Sequence, residues 1–203
     1  TLTIAVPSTI GMLVSSSLVA YGFARIQWPG RDAVFILVLA TMMLPYQVTM
    51  IPLFIVFRNL GWIGTFKPLI IPSFFGGPFY IFLLRQFYLT LPMELSDAAK
   101  IDGCSELGIY RQIILPLSKP ALSTVALFSI MAYWNDFLAP LIYLEDDSKY
   151  TLALGLQQFQ RQFGMEWAML MATSVVITLP IIVLFFLTQK TFVQGIALTG
   201  MKG

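Results

Sequence analysis

Two groups of residues in this chain have types and spacing that could do chemistry, and neither reads as a catalyst. The first lies in residues 94–117, the one long polar stretch set between hydrophobic runs. Pro92 suits the first turn of a helix, Glu94 and Asp97 place negative charge at its positive end, and Gly103 can end it in a left-handed conformation. Ser105 suits the N-cap of a second short helix that ends before Pro116. Leu91, Leu95, Ala98 and Ala99 share one face at helical spacing, and Leu107, Tyr110, Ile113 and Ile114 share another. Small side chains at 98 and 99 admit the close approach of a foreign backbone, while Gly103 supplies a bend that a side chain would resist. Two short amphipathic helices with an elbow predict a docking element for another protein; the plainer alternative is an ordinary amphipathic loop.

The second group breaks the rules of a lipid environment. Asp136, beside Trp134 and Asn135, stands 16 residues after Pro120, about 24 Å along a helix at 1.5 Å per residue. A carboxylate at that depth is costly unless it faces protein or water. It predicts either a cavity-lining group or a cap that bonds a neighbouring helix. Pro45 with Tyr46 and Gln47, and the stretch 72–78 with Ser73, Gly76 and Gly77, interrupt two further apolar runs. Broken helices are tolerated where the freed backbone is covered or lines a wet cavity. Simple kinks are the alternative. Tyr46, Gln47, Ser73, Tyr133, Trp134, Asn135 and Asp136 form the candidate lining of such a cavity.

The elements that must position these groups follow from composition. Of 203 residues, 58% are hydrophobic and only 11% charged, against about 45–50% and about 25% in a soluble domain. Mean hydropathy is +0.81, so the solvent is lipid. Twelve basic against ten acidic residues leave +2, too balanced to argue for nucleic acid. Without His and with the single Cys104, the chain can form no internal disulfide and offers no His-based or zinc chemistry.

A helix needs roughly 20 apolar residues to cross the hydrocarbon. Five windows supply them: 2–24, 33–57, 68–89, 121–144 and 167–188. The fold class is therefore all-α, a polytopic helical bundle of five spans. Alternate connections hold Arg25, Arg31, Arg85, Lys100, Arg111, Lys119, Lys190 and Lys202 on one side, against Arg58, Lys67, Lys149 and Arg161 on the other. The richer side faces the cytoplasm, and it carries residues 92–117 and the C-terminus. Glu145, Asp146 and Asp147 fall on the opposite side. Trp28, Trp62 and Trp167 near span ends read as interfacial belt residues. Residues 189–203 show little helical periodicity and read as a tail, either frayed or touching a partner. Because Thr1 lies inside an apolar run and five spans ending in the cytoplasm put it outside, a missing odd number of spans, most simply one, is expected.

One resemblance is specific. Asp97-Ala98-Ala99, three residues, Gly103, nine residues, Ile113, one residue, then Leu115-Pro116 resembles the EAA loop of the membrane subunits of bacterial ATP-binding-cassette (ABC) importers, with Asp where Glu is usual. Further pieces resemble the second permease subunit of the maltose-type carbohydrate importers. They are Ala24-Arg25 with Trp28-Pro29-Gly30, Trp134-Asn135-Asp136-Phe137 with Pro140-Leu141, Tyr150-Thr151-Leu152 with Gly155-Leu156, and Gly200-Met201-Lys202-Gly203.

The resemblance implies one permease domain over 1–203 with its first span missing, and an EAA coupling loop at 92–117. Glu94, Asp97, Ala98, Ala99, Gly103, Ile113, Leu115 and Pro116 would couple to an ATPase. It implies a second permease subunit, two ABC ATPase subunits, an extracytoplasmic solute-binding protein and a sugar, in a bacterial cytoplasmic membrane. This chain would hold no cofactor and catalyse nothing, ATP and Mg being held by the ATPase subunits. The candidate lining becomes a translocation pathway, and Phe74, Phe75, Phe79, Tyr80 and Tyr133 could stack on sugar rings. Alternatives are an importer of another solute, such as a polyol phosphate or amino acid, and an ion-driven secondary transporter. The latter would want ionisable groups in several spans, and only Asp136 qualifies. A channel or purely structural membrane protein is the remaining class.

Overall fold

The longest uninterrupted apolar helix of the first half becomes the axis of the molecule. In this computed structural model, which describes the backbone of residues 1–162 and 167–200 and the side chains of 1–157 and 167–188, helix α1 (Leu2–Arg25) packs chiefly against residues 67–90 and 119–134. Three extended helical segments, Leu2–Arg25, Lys67–Thr90 and Trp167–Thr188, are each long and apolar enough to cross a bilayer. Two bent helix pairs, Arg31–Met43 with Tyr46–Asn59 and Glu106–Leu117 with Lys119–Trp134, bring the total to five if each is one span, although the first half of the second pair belongs to the polar insert. The described residues are helices, turns and loops, the all-α membrane bundle expected.

The breaks are sharper than kinks. The window 33–57 is not one straight span: α2 (Arg31–Ala40), extended by a 3-10 turn at Thr41–Met43, meets α3 (Tyr46–Asn59) at 96°. Pro45 is the cause. It forces the preceding Leu44 to an extended φ of −82° and ψ of 114° and itself caps α3. The window 68–89 divides into α4 (Lys67–Ile70), a 3-10 segment at Ile71–Phe75, and α5 (Pro78–Thr90), with Gly76 at φ +82° between them.

That irregular stretch survives in an apolar setting because α1 satisfies it. Ser8 Oγ donates to Leu69 O at 3.1 Å, Ser15 Oγ donates to Ser73 O at 3.1 Å, and Ser16 Oγ accepts the Gly77 N–H at 3.1 Å. Freed backbone groups thus find partners on a neighbouring helix rather than in lipid. Gly11 allows the close approach, since a Cβ there would stand 2.6 Å from the Phe74 ring.

The polar insert forms α6 (Glu94–Ile101) and α7 (Glu106–Ile109), the latter continuing as a π turn at Tyr110–Ile114 into the short α8 (Leu115–Leu117). The expected stop before Pro116 is therefore corrected: the helical path runs through it to Leu117. The wide turn just before Pro116 accommodates a ring that would crowd the carbonyl four residues back, and its missing N–H leaves no donor to place. Next, α9 (Lys119–Trp134) turns away at 79°.

The window 121–144 is also divided, by residues 135–137, into α9 and α10 (Leu138–Tyr143). Helix α11 (Leu152–Gln162) leads towards α12 (Trp167–Gly200), which packs along α9 and turns mostly apolar side chains outward. Residues 189–200, read from the sequence as a tail, continue α12. An apolar helix once started propagates at little cost. The side chains of Arg161, Lys190 and Lys202 and the closing Met201-Lys202-Gly203 lie outside the described residues.

Candidate functional site

The helix pair stands at one end of the bundle with one face docked and the other free. Gly103 takes φ +79° between the two helices, and Ser105 caps the second, its Oγ accepting the Gly108 N–H at 3.2 Å. Ser96, Ala99, Ile109, Tyr110 and Ile114 turn inward and are buried. Leu95, Asp97, Ala98, Ile101 and Leu107 face out, with Ile101 87% and Leu107 65% exposed. The face expected to unite Leu91, Leu95, Ala98 and Ala99 is thereby split: Leu91 and Ala99 join the core, whereas Leu95 and Ala98 line the open side together with Ile101 at a three-residue spacing. On the second helix Leu107 likewise leaves the face of Tyr110 and Ile114, and Ile113 is half-buried. Small Ser96 and Ala99 take the inward positions.

Among the residues matched to the EAA pattern, Glu94, Asp97 and Ala98 are exposed, Ala99 is buried, Gly103 forms the elbow, Ile113 and Leu115 are half-buried and Pro116 is exposed. They thus divide between holding the pair on the bundle and presenting it.

What sequence reasoning missed is how the pair is fastened. Arg25, the last residue of α1, is 4% exposed. Its Nη1 donates to Leu91 O at 3.0 Å and its Nη2 to Pro92 O at 2.9 Å, and Nη1 also meets Met93 Sδ. One turn back, Tyr21 Oη donates to Glu106 Oε2 at 2.7 Å, and Lys100 Nζ pairs with Glu106 Oε1 at 2.8 Å. Lys100 and then Tyr21 hold the Glu106 carboxyl below the usual carboxylate range. Another turn back, Ser17 Oγ bonds both Tyr88 Oη at 2.8 Å and Tyr110 Oη at 2.7 Å. The available signal was an Arg closing an apolar span and a run of three serines, Ser15 to Ser17, within it; polar groups inside membrane helices commonly bond across helices.

The second group gathers around a cavity of about 430 Å³ at the other end of the bundle. Tyr46, Ser73, Tyr133 and Asp136 line it with Tyr143, Thr151, Pro72 and Pro140. Three chain breaks, at Pro45, around Gly76 and at residues 135–137, bring them together from distant sequence positions. Asp136 is also a cap: its Oδ1 accepts the Ala139 N–H at 3.2 Å at the start of α10.

The other candidates stand elsewhere. Trp134 is buried and donates Nε1–H to Ile177 O at 3.2 Å, joining α9 to α12. Asn135 is exposed and closes α9 by donating Nδ2–H to Met131 O at 2.9 Å. Gln47 is exposed and outside the lining. Of the proposed stacking aromatics only Tyr133 lines the cavity; Phe74, Phe75 and Phe79 are exposed. Sequence reasoning missed Tyr143, a buried residue that also lines the cavity. Among the described residues no cluster of His, Cys, Asp or Glu could hold a metal.

The two groups sit at opposite ends, and the charges sort with them. Arg31 and Arg85 share Asp32 at 2.9 and 3.8 Å, near the end of α1 that bears Arg25 and the helix pair. At the cavity end, Lys149 Nζ donates to Gly64 O at 2.8 Å, and Gly64 N–H donates to Tyr143 O at 2.9 Å.

Comparison with known proteins places this architecture. Residues 9–197 match the model of the family described as "Binding-protein-dependent transport system inner membrane component". The arabinooligosaccharides transport system permease protein AraQ of Bacillus subtilis is 39% identical over 196 residues, 97% of this chain and 69% of that protein. The osmoprotective compounds uptake permease protein GgtD of Synechocystis sp. is 36% identical over 203 residues, 99% of this chain and 68% of that protein. Among solved structures, a chain of a bacterial ABC transporter involved in the import of the acidic polysaccharide alginate superimposes with a TM-score of 0.79 at 25% identity. The match covers 94% of this chain and 73% of that one.

Proposed function

We propose, since this chain belongs to the binding-protein-dependent transport system inner membrane components, that it forms half of a sugar pathway and is driven through its projecting helix pair by separate ATPase subunits. A permease subunit of an ABC importer performs no covalent step; its work is to change shape when another subunit does. The observation that carries the reading is the free face of that pair, with Leu95, Asp97, Ala98, Ile101 and Leu107 turned away from the bundle, Asp97 and Ala98 being positions of the EAA pattern. Exposed leucine and isoleucine beside a carboxylate suit a groove on a protein partner better than water.

In this reading the helix-pair end faces the cytoplasm, which fits the gathering of Arg25, Arg31, Arg85 and Lys100 there. Two ATPase subunits hold ATP and Mg, and this chain holds no cofactor. Their closure on ATP swings the attached spans, and hydrolysis resets them. A second permease subunit completes the pathway, and an extracytoplasmic binding protein delivers the solute to the cavity end. Tyr46, Ser73, Tyr133 and Asp136 offer hydroxyls and a carboxylate to a polyhydroxyl solute there. A sugar is favoured by the carbohydrate named for AraQ and for the alginate importer. The osmoprotective solutes named for GgtD keep a second class in view.

The test is reconstitution of the full-length subunit with its partners. ATPase activity should rise with binding protein and solute together, and Gly103→Pro or Ala98→Glu should leave hydrolysis while cutting uptake. Tight coupling in both variants would remove the docking role.

A further inference from the structure

A motor that grips only the helix pair could move the spans joined to it by chain, α5 before and α9 after. The contacts add a third connection that the chain order does not require. We infer that Arg25 and Tyr21 latch the helix pair onto α1, so that motor motion enters the bundle through α1 as well as through α5 and α9. The inference rests on the coupling role proposed above and adds to it the positioning residues and the route.

Three features carry it. Arg25 holds the connection that leads into α6, its guanidinium bonding the carbonyls of Leu91 and Pro92 at 3.0 and 2.9 Å while almost fully buried. The carboxylates of Glu94 and Asp97 lie near enough to interact with it electrostatically. Tyr21 holds the start of the second helix through Glu106 at 2.7 Å, and Lys100 ties that same carboxylate to the end of the first helix at 2.8 Å. Glu106 therefore closes the elbow and fastens it to α1 with one side chain. Finally, α1 packs on α5, on α9 and on the segment Ile71–Phe75 beside the cavity, so a displacement delivered to it reaches the outer end along a single 24-residue helix.

A bend at Gly103 alone could absorb motion. With both sides of the bend pinned to α1, the pair must move with that helix or break charged hydrogen bonds, of which those of Arg25 are buried. Rigid packed elements with two discrete arrangements are what carry coupling over such distances.

The experiment uses the full-length subunit in its assembled transporter, reconstituted in proteoliposomes. Tyr21→Phe removes one hydroxyl and Arg25→Gln the charge and one donor group; Arg25→Lys keeps the charge without the fork. Solute transported per ATP hydrolysed should fall roughly fivefold or more in Tyr21→Phe and Arg25→Gln, with ATPase subunits still bound. Glu106→Gln combined with Tyr21→Phe should cost little more than Glu106→Gln alone, since Tyr21 acts through that carboxylate.

A second measurement keeps a folding defect from mimicking the result. In a Cys104→Ser background, spin labels at Leu18 and Gln112, both exposed and neither on the docking face, should keep one distance with and without ATP when the latch is intact, and a broadened distribution when it is cut. A distance that changes with ATP in the intact protein overturns the latch. So does an unchanged transport-to-hydrolysis ratio in both variants. If Gly103→Pro uncouples and the latch variants do not, the docking role stands and the latch falls; if neither uncouples, both fall.

Discussion

Glu106 carries more of the helix pair's geometry than any residue of the recognised pattern, since Lys100 and Tyr21 both converge on its carboxylate. Its carboxyl is depressed below the usual range, so the stability it contributes is full above the ordinary carboxylate value, about 4.3, and is lost as pH falls through the folded value. Hydrogen exchange over residues 94–110, corrected for the intrinsic rate, should be flat from neutral to mildly acidic pH and rise only below that value. Glu106→Gln should flatten the profile, and an unaltered acid response in that variant would exclude the assignment. Ser17 makes a comparable demand from inside α1. Ser17→Ala leaves the buried phenols of Tyr88 and Tyr110 short of a shared partner, and should cost about 1–3 kcal/mol, read as a lower melting temperature of the solubilised assembly.

At the scale of elements, glycine decides two junctions for different reasons. Gly103 sits at φ +79° with open space around a notional Cβ, so Gly103→Ala pays only the backbone penalty of the left-handed region, about 1–2 kcal/mol. Gly11 has ordinary helical backbone, but a side chain there meets the Phe74 ring at 2.6 Å. Gly11→Val should therefore push α1 from the segment Ile71–Phe75 and weaken the serine bonds that satisfy it. The cost should fall near the 1–3 kcal/mol typical of overpacking, visible as thermal destabilisation that Phe74→Ala partly relieves. The bend of 96° between α2 and α3 has a single local cause in Pro45. Pro45→Ala should straighten that junction and move Tyr46 from the cavity, cutting transport more than assembly.

For the whole molecule, the helix pair and the cavity lie at opposite ends of α1, which is the arrangement a machine needs if energy and solute are handled in different compartments. Orientation has a direct test in Cys104, half-buried beside Gly108. An impermeant thiol reagent should modify it only from the cytoplasmic face, and bound ATPase subunits should slow the reaction. Modification from outside would reverse the topology. Asp136→Asn, which keeps a capping oxygen for the Ala139 N–H but drops the charge facing the cavity, should reduce uptake with little loss of assembly. If assembly suffers equally, Asp136 is a cap and nothing more.

The sequence alone determined the solvent, the helical class, the approximate spans and the elbow at Gly103, because each depends on local composition or on a single residue's backbone freedom. It also determined the family, through the EAA spacing, and the match over residues 9–197 agrees. It did not determine which face of each short helix is free: periodicity finds a stripe, but only a neighbour decides whether Leu95 or Ser96 turns inward. Nor could it show that Arg25, Tyr21 and Ser17 reach residues 66–93 positions away, or that Tyr46, Ser73, Tyr133 and Asp136 share one cavity while Gln47 and Asn135 do not. Those are long-range contacts between side chains, and they exist only once tertiary packing has brought the helices together.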